Sequence, residues 1–196
     1  MDPDPYTDKA SKNASPQQKA EEVQSIVEHV KTAMLTTKHD DGSLNSRAMH
    51  PVSKSGLVFE FIANNQSGKF DELKSDPACN VSFYDNSSTD WVSVSGKANI
   101  IQDSEEIKKL WNPSISAWFG NMGDGKHTGN YDDPRVSAIQ VKPVEIRYWN
   151  AKNKVSQTFD IAKAKVTGDV AAPGVLRVLD SHELKQLRDF CGKHVD

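Results

Sequence analysis

Two short segments of the sequence carry residue types that could hold an anionic ligand. In the first, Arg47 lies on a predicted strand, where Arg47 and Met49 face the same side. In the second, a predicted strand runs into a helix start that carries Ser67 and Lys69. Backbone N–H groups at a helix start, a hydroxyl, an ammonium and a nearby guanidinium together match a phosphomonoester. We therefore predict a phosphate site formed by Arg47, Ser67 and Lys69.

Each of these signals is weak by itself. A Ser-x-Lys sequence at a helix start is most often a cap beside a solvated lysine, and a single arginine is most often a surface cation. Their joint placement on neighbouring segments favours a binding site.

The sequence lacks the motifs of several other enzyme classes. It has no Gly-rich dinucleotide or nucleotide-phosphate loop and no Gly-x-Ser-x-Gly nucleophile elbow. Its six histidines are scattered, and neither they nor the two cysteines have the spacing of a metal site. Chemistry is therefore expected to come from a bound cofactor, and no catalytic residue is assigned.

Composition and charge indicate which classes of partner are excluded and which compartment is expected. The chain of 196 residues has 24 basic and 27 acidic side chains, and this net charge of −3 argues against non-specific nucleic-acid binding. No segment approaches the about 20 apolar residues needed to span a bilayer, and the N-terminal residues lack the apolar core of a secretory signal. We expect a cytoplasmic protein with reduced thiols that binds neither nucleic acid nor membranes.

The hydrophobic patterns predict many short strands and few helices. Ser15 is expected to cap a helix that begins at Pro16, and Asp41-Gly42 is expected to turn between strands. Strands are predicted at 33–37, 44–50, 57–63, 80–84, 91–102, 137–141 and 144–149, and helices at 16–30, 67–74, after Asp103, before Gly168 and from Asp180. This pattern is typical of a β-rich α+β fold: a small antiparallel barrel of six to seven strands with flanking helices.

Three regions are expected along the chain. Residues 1–15 are predicted to form a mobile N-terminal tail, residues 16–150 the barrel, and residues 151–196 a C-terminal helical extension. Within the barrel region, residues 112–134 are rich in Gly, Asn and Asp, which predicts a long functional loop.

An ordered string of motifs points to a family. Met34-Leu35-Thr36-Thr37 precedes Asp41-Gly42 and Ser46-Arg47-Ala48-Met49, and the residues from Phe61 to Lys69 follow an F-x-[TA]-N-x-x-S-x-K pattern. Further matches are 92–98, Leu110-Trp111-Asn112-Pro113, Trp118-Phe119, Asp132-Asp133-Pro134 and Tyr148-Trp149. From about residue 17 to about residue 168 the chain resembles the FMN-binding split barrels related to pyridoxamine 5′-phosphate oxidase. The resemblance is to their general-stress-protein branch and its fungal blue-light-induced relatives.

The resemblance implies an antiparallel split β-barrel that binds FMN at the interface of a homodimer. It assigns the FMN phosphate to Arg47, Ser67 and Lys69. The isoalloxazine ring and the ribityl chain would be lined, partly by backbone groups, by Ala48, Met49, Phe61, Ile62 and Ala63. Trp118 or Trp149 would come from the partner subunit, with Trp111 as a weaker candidate. Each of these three tryptophans is explained equally well as a core residue.

The sequence also departs from the family pattern. Ala63 stands where a threonine is common, and Gly68 stands where the true oxidases often have an arginine. The oxidases hold their pyridoxal substrate with a C-terminal Arg-x-His element, and around Trp149 this chain has Arg147-Tyr148-Trp149-Asn150-Ala151 instead. We therefore do not expect oxidation of vitamin B6.

Three functions are open at this level. The first is an FMN-dependent oxidoreductase of unknown substrate and electron donor. The second is a non-catalytic flavin-binding stress-response protein, acting as an FMN reservoir or as a redox or light responder. The third is a split barrel with another ligand, such as haem or a deazaflavin, although the barrel segments offer only His39 and His50 as axial haem ligands.

Overall fold

Seven strands form one sheet in the computed structural model, which describes residues 14–151 and 154–192. The strands are β1 (Ala33–Lys38), β2 (Leu44–Met49), β3 (Phe59–Asn64), β4 (Ala78–Tyr84), β5 (Trp91–Ile101), β6 (Val136–Ala151) and β7 (Gly174–Leu179). Their hydrogen-bonded order is β2-β1-β4-β5-β6-β3, and β7 also pairs with β6. Strand β1 pairs with β2 in the antiparallel direction, and β6 pairs antiparallel with both β3 and β7.

Among the described residues, five α-helices accompany this sheet. They are α1 (Pro16–His29), α2 (Lys69–Ser75), α3 (Ser104–Leu110), α4 (Lys154–Thr167) and α5 (Ser181–Gly192). None of them has the length and apolar character that crossing a bilayer requires. The predicted class, a β-rich α+β fold with an antiparallel sheet of six to seven strands and flanking helices, is confirmed.

The contacts divide the chain into two compact units. One takes the described parts of Met1–Val30, Ser82–Val94 and Val144–Asp196, and the other takes Lys31–Val81 and Ser95–Pro143. Arg47, Ser67 and Lys69 all belong to the second unit. The predicted tail at 1–15 lies almost entirely outside the described residues, and the predicted boundary at residue 150 stays a prediction.

The predicted helix caps are confirmed. The Ser15 hydroxyl accepts a 3.2 Å hydrogen bond from the Gln18 amide at the start of α1, and Pro16 occupies the first turn, where its missing N–H costs nothing. Asp103 caps α3 in the same way, because its Oδ1 accepts from the amides of Glu105 and Glu106 at 3.0 Å. These local rules place the starts of α1 and α3 to the residue.

Strand β3 starts two residues later than predicted. The sequence pattern began this strand at Leu57, but Gly56 and Leu57 adopt positive φ values of 58° and 64° in a 3₁₀ turn (Ser55–Leu57). Two successive residues in the left-handed region cannot belong to an extended strand. The strand therefore begins at Phe59, and it alternates buried and half-buried side chains to its end.

Strand β6 is one long strand where two were predicted. The prediction ended one strand before Pro143 and began another after it, since proline interrupts strand pairing. In the structure β6 pairs with β3 as far as Val141, and with β7 only from Ile146 onward. Pro143 lies between these two paired stretches, so its missing N–H removes no hydrogen bond to β3 or β7.

The C-terminal segment contains a strand as well as helices. Strand β7 was not predicted, since the last strand expected from the sequence ended at residue 149. Helix α4 is confirmed and ends before Gly168, which has a φ of 68°. The sequence predicts an amphipathic helix here with Val155, Phe159, Ala162 and Val166 on one face. Ala162 and Val166 are exposed, Val166 by 87 %, and the side chains of Val155 and Phe159 lie outside the described residues.

Candidate functional site

Arg47 lies in a hydrogen-bonded cluster built on the β1–β2 hairpin. The antiparallel register places Arg47 opposite Leu35 and Asn45 opposite Thr37, so that their side chains share one face. The guanidinium is half-buried and donates to Oε2 of Glu72 at 3.0 Å, to the Leu35 carbonyl at 3.4 Å and to the Thr37 hydroxyl. These bonds, from the hairpin and from Glu72, hold Arg47 in a fixed orientation.

Glu72 is the acceptor at the centre of this cluster. Its side chain projects from α2 and is buried, with 8 % exposed. Oε2 accepts from Thr37 and Arg47, and Oε1 accepts from the Asn45 amide at 2.6 Å. Burial acts to raise the pKa of Glu72, but these hydrogen bonds and the Arg47 charge outweigh it and lower that pKa. The carboxylate is therefore ionised at neutral pH.

Ser67 and Lys69 meet at the end of the turn that follows β3. The Ser67 hydroxyl donates to the Asn64 carbonyl at 2.7 Å, and the Lys69 ammonium donates to the Ser67 hydroxyl at 2.5 Å. Burial lowers the pKa of Lys69, the charge of Arg47 lowers it further, and Glu72 acts in the opposite direction. Arg47 and Lys69 are therefore close enough to repel each other. Ser67 and Lys69 are thus in direct contact, and Arg47 bonds to Glu72, which lies three residues after Lys69 on α2.

The donors identified at this site are side chains. The helix was predicted to begin at Ser67 with free amides, but α2 begins at Lys69 and has only seven residues. The Ser67 and Phe70 amides donate to the carbonyls of Asn64 and Ser67, at 3.2 and 2.9 Å. These two amides are occupied within the turn and are not free for a ligand, whereas the two cations and the hydroxyl can donate to one.

The donor set of the cluster fits a phosphate monoester. Arg47 and Lys69 contribute two positive charges and Glu72 one negative charge, which leaves a net charge of +1 when all three are ionised. Both cations are half-buried, so solvent screens them less than surface charges. An anion with two or three acceptor oxygens is the ligand that such a set of donors attracts.

The other residues assigned to the flavin lie in different surroundings. Ala48 is exposed, and Met49 is half-buried on the same face of β2 as Arg47. Phe61 is fully buried and Ala63 is 8 % exposed, so the side chain of Phe61 lies in the core and only its backbone is left for a ligand. Ile62 points the opposite way and packs against the apolar cluster around Ile107.

The two tryptophans belong to different units and have opposite exposure. Trp118 ends a 3₁₀ turn (Pro113–Trp118) in the long loop and is 82 % exposed. Trp149 on β6 is 8 % exposed, and it lies opposite Leu176 in the register with β7. A ring buried within its own chain offers little to a partner subunit, whereas Trp118 is open to one. The assignment of either ring to the cofactor stays a prediction.

The long loop is held in place by a buried ion pair. Arg135 donates to both carboxylate oxygens of Asp133, at 3.0 and 2.6 Å, and to the carbonyls of Phe119 and Gly120 at 3.1 and 2.9 Å. Hydrogen bonds from Arg135, opposed by burial, strongly lower the pKa of Asp133. The segment that carries Trp118 is therefore anchored to the start of β6.

Sequence analysis missed Glu72, Thr37 and Asn45. A glutamate in a short helix is normally solvent-exposed, so residue type gave no signal for Glu72. The other two could have been found from the hairpin register, since Asn45 and Arg47 alternate on one face of β2 and Thr37 stands opposite Asn45.

Comparisons with known proteins agree with this architecture. The profile of the family described as pyridoxamine 5′-phosphate oxidase like matches residues 18–171. The protein bli-3 of Neurospora crassa is 39 % identical over 87 % of this chain and 84 % of its own length. General stress protein 26 of Bacillus subtilis is 27 % identical over 72 % of this chain and 95 % of its own length.

A solved structure with low sequence identity shares the fold. It is a pyridoxamine 5′-phosphate oxidase-related, FMN binding protein from Nostoc punctiforme, 12 % identical, with a TM-score of 0.54. The match covers 70 % of this chain and 86 % of that one. The likeness confirms the predicted split-barrel class.

Proposed function

This chain belongs to the pyridoxamine 5′-phosphate oxidase-like family, and on that premise we propose that it binds FMN and acts as an FMN-dependent oxidoreductase. The FMN phosphate is held by Arg47, Ser67 and Lys69. The protein works as a homodimer, with the cofactor at the interface.

One observation carries the proposal: the convergence of two half-buried cations and a hydroxyl from separate segments of one unit. The 2.5 Å bond from Lys69 to Ser67 and the effect of the Arg47 charge on the pKa of Lys69 support the proposal that one anion contacts all three residues. A phosphomonoester carries close to two negative charges at neutral pH. The cluster therefore favours FMN over riboflavin, which lacks that phosphate.

The remaining assigned residues orient the rest of the cofactor. Met49 follows Arg47 on the same face of β2, so it is proposed to contact the isoalloxazine ring, with Ala48 beside it. The segment Phe61–Ala63 contributes backbone groups, because the Phe61 side chain is committed to the core. When bound, FMN supplies the hydride or electron transfer, and the protein supplies binding and orientation.

The exposed ring of Trp118 supports the dimer. An anchored tryptophan that is 82 % exposed offers a large aromatic surface to a partner. A partner subunit would cover Trp118 and place it near the flavin. Trp149 is retained as a weaker candidate, since its own chain already buries it.

The direct test measures whether the purified protein contains FMN and whether substitutions at Arg47 and Lys69 weaken FMN binding. We expect the purified protein to be yellow and to release FMN on denaturation. Arg47→Ala and Lys69→Ala should each weaken FMN binding by at least about tenfold, as expected for loss of a charge-assisted hydrogen bond. The matched control is Lys38→Ala, which removes an exposed cation of β1 paired with Asp76 at 3.4 Å. Equal FMN affinity in all four proteins would exclude the phosphate site.

Two further measurements separate the candidate functions. Steady-state reduction with NADH or NADPH and an acceptor distinguishes the oxidoreductase from the non-catalytic flavin-binding stress-response protein, because only the former turns over. Light scattering should give twice the chain mass for the flavin-loaded protein. A flavin-loaded monomer would exclude the shared interface.

A further inference from the structure

We infer that Glu72 is a positioning residue of the phosphate site: it fixes the Arg47 guanidinium and holds the two cations, Arg47 and Lys69, side by side. The inference rests on the proposed FMN site, and it assigns a role in that site to a residue that does not itself contact the ligand.

The geometry of the hydrogen bonds supports positioning. Glu72 is held by three donors, from Thr37 on β1 and from Asn45 and Arg47 on β2. It therefore joins α2 to both strands of the hairpin. One terminal nitrogen of Arg47 bonds to Glu72, and the other bonds to Thr37 and to the Leu35 carbonyl. The guanidinium plane is thus set before a ligand arrives, which removes the entropic cost of ordering it on binding.

The charges support the same role. The charged groups that act on the Lys69 ammonium are Arg47 from β2, which repels it, and Glu72 from α2, which attracts it. The Phe70 ring also lies below the ammonium, with 5.7 Å from Nζ to its centroid. Two cations in a half-buried place repel each other unless an anion balances them. Glu72 is that anion, so neutralising it should both free Arg47 and make Lys69 lose its proton more easily.

A competing role for Glu72 predicts the opposite result. If the carboxylate merely competed with the phosphate for Arg47, its neutralisation would raise the net positive charge and tighten FMN binding. If it served stability alone, neutralisation would leave the preference for FMN over riboflavin unchanged. Positioning predicts a weaker preference for FMN.

The experiment compares FMN and riboflavin binding to the apoprotein by quenching of flavin fluorescence. Glu72→Gln should weaken FMN binding by about tenfold and leave riboflavin binding unchanged, because only the phosphate contacts are lost. Titrations from neutral pH to about pH 10 should show FMN affinity falling at a lower pH in Glu72→Gln than in the unaltered protein, since Lys69 has lost its counter-charge. The matched control is Asp71→Asn, a neighbouring carboxylate on the same helix with an 82 % exposed side chain.

The outcomes separate this inference from the proposed function. If Arg47→Ala weakens FMN binding but Glu72→Gln binds FMN as tightly as the unaltered protein, or more tightly, the positioning role is overturned and the phosphate site stands. If Arg47→Ala also leaves FMN binding unchanged, the phosphate site itself fails. Should Glu72→Gln not fold, Asn45→Ala removes one donor from Oε1 of Glu72 at an exposed position. A smaller loss of FMN preference in that variant supports positioning, and an unchanged preference overturns it.

Discussion

The hydroxyl of Tyr148 donates a 2.6 Å hydrogen bond to Oε2 of Glu22, although 126 positions of the sequence separate the two residues. Tyr148 is fully buried on β6, and Arg177 of β7 donates to the same carboxylate oxygen. Lys19 reinforces the attachment by bonding Glu183 of α5 at 2.7 Å and the Val178 carbonyl at 2.8 Å. Helix α1 is therefore joined to β6, β7 and α5 by partly buried polar contacts.

We expect Tyr148→Phe to destabilise the protein, because it removes a buried hydrogen bond to a charged group. The expected loss in the free energy of unfolding is about 1.5–3 kcal/mol. Urea unfolding followed by tryptophan fluorescence measures it. Tyr84→Phe is the control, since the Tyr84 side chain is 56 % exposed. Equal stability of the two variants would show that the bond to Glu22 contributes nothing.

The same carboxylate predicts a stability that depends on pH. Burial acts to raise the pKa of Glu22, but hydrogen bonds from Arg177 and Tyr148 outweigh it, so the pKa in the folded state lies below the ordinary value of 4.5. The unfolded chain therefore takes up a proton before the folded one does. The contribution of Glu22 is full above about pH 4.5 and is lost as the pH falls through the lower folded value.

Unfolding free energies of the unaltered protein and Glu22→Gln measure this dependence. The advantage of the unaltered protein should be greatest at neutral pH and should shrink as the pH falls below about 4.5. Glu21→Gln, at an exposed position of the same helix, should show no such change. A difference between the two proteins that stays constant with pH would contradict the assignment.

The buried ion pair of the long loop gives a third prediction. Asp133 is fully buried as a side chain, and it also accepts from the Gly129 and Arg135 amides at 2.7 and 2.8 Å. Asp133→Asn leaves Arg135 buried without its counter-charge, so we expect a loss of about 3 kcal/mol in unfolding free energy. Glu145→Gln breaks the exposed pair with Arg147 and should cost about 0–1 kcal/mol.

Limited proteolysis checks where the Asp133→Asn variant loosens. Phe119 and Gly120 lose their anchor when Arg135 is displaced, so new cleavage should appear within residues 112–134. Cleavage at other places with an intact loop would show that the ion pair does not hold it.

Most helices and strands could be predicted from the sequence, because caps, turns and side-chain alternation depend on residues that are close in sequence. The cap at Ser15, the turn at Gly42 and the alternation of β1 are set by residues close in sequence, and all three are present. Pro143 misled the prediction because its tolerance depends on which neighbours pair with β6 on either side of it. That information is tertiary, and no local pattern contains it.

In the candidate site, too, features set by local sequence could be predicted and features set by tertiary packing could not. Arg47, Ser67 and Lys69 were predicted from residue type and strand alternation; the structure shows Lys69 bonded to Ser67, and their joint role in binding a phosphate stays a prediction. Glu72 was missed because its burial depends on how α2 packs against the hairpin. A buried carboxylate such as Glu72 could be expected only after Arg47 and Lys69 were known to lie near it, because these two cations need a counter-charge.

A substitution at Gly68 is predicted to tighten FMN binding. It lies between Ser67 and Lys69 with a helical φ of −53°, and no atom outside its chain neighbours lies within 4 Å of the place a Cβ would occupy. A longer side chain therefore fits without strain. Gly68→Arg should add a third cation to the cluster and tighten FMN binding by about tenfold at low salt, with a smaller gain at high salt. Gly68→Gln, which is polar and uncharged, should bind FMN as the unaltered protein does, and neither change should alter riboflavin binding. If Gly68→Arg binds FMN no more tightly than Gly68→Gln does, the phosphate does not lie near the N-terminus of α2.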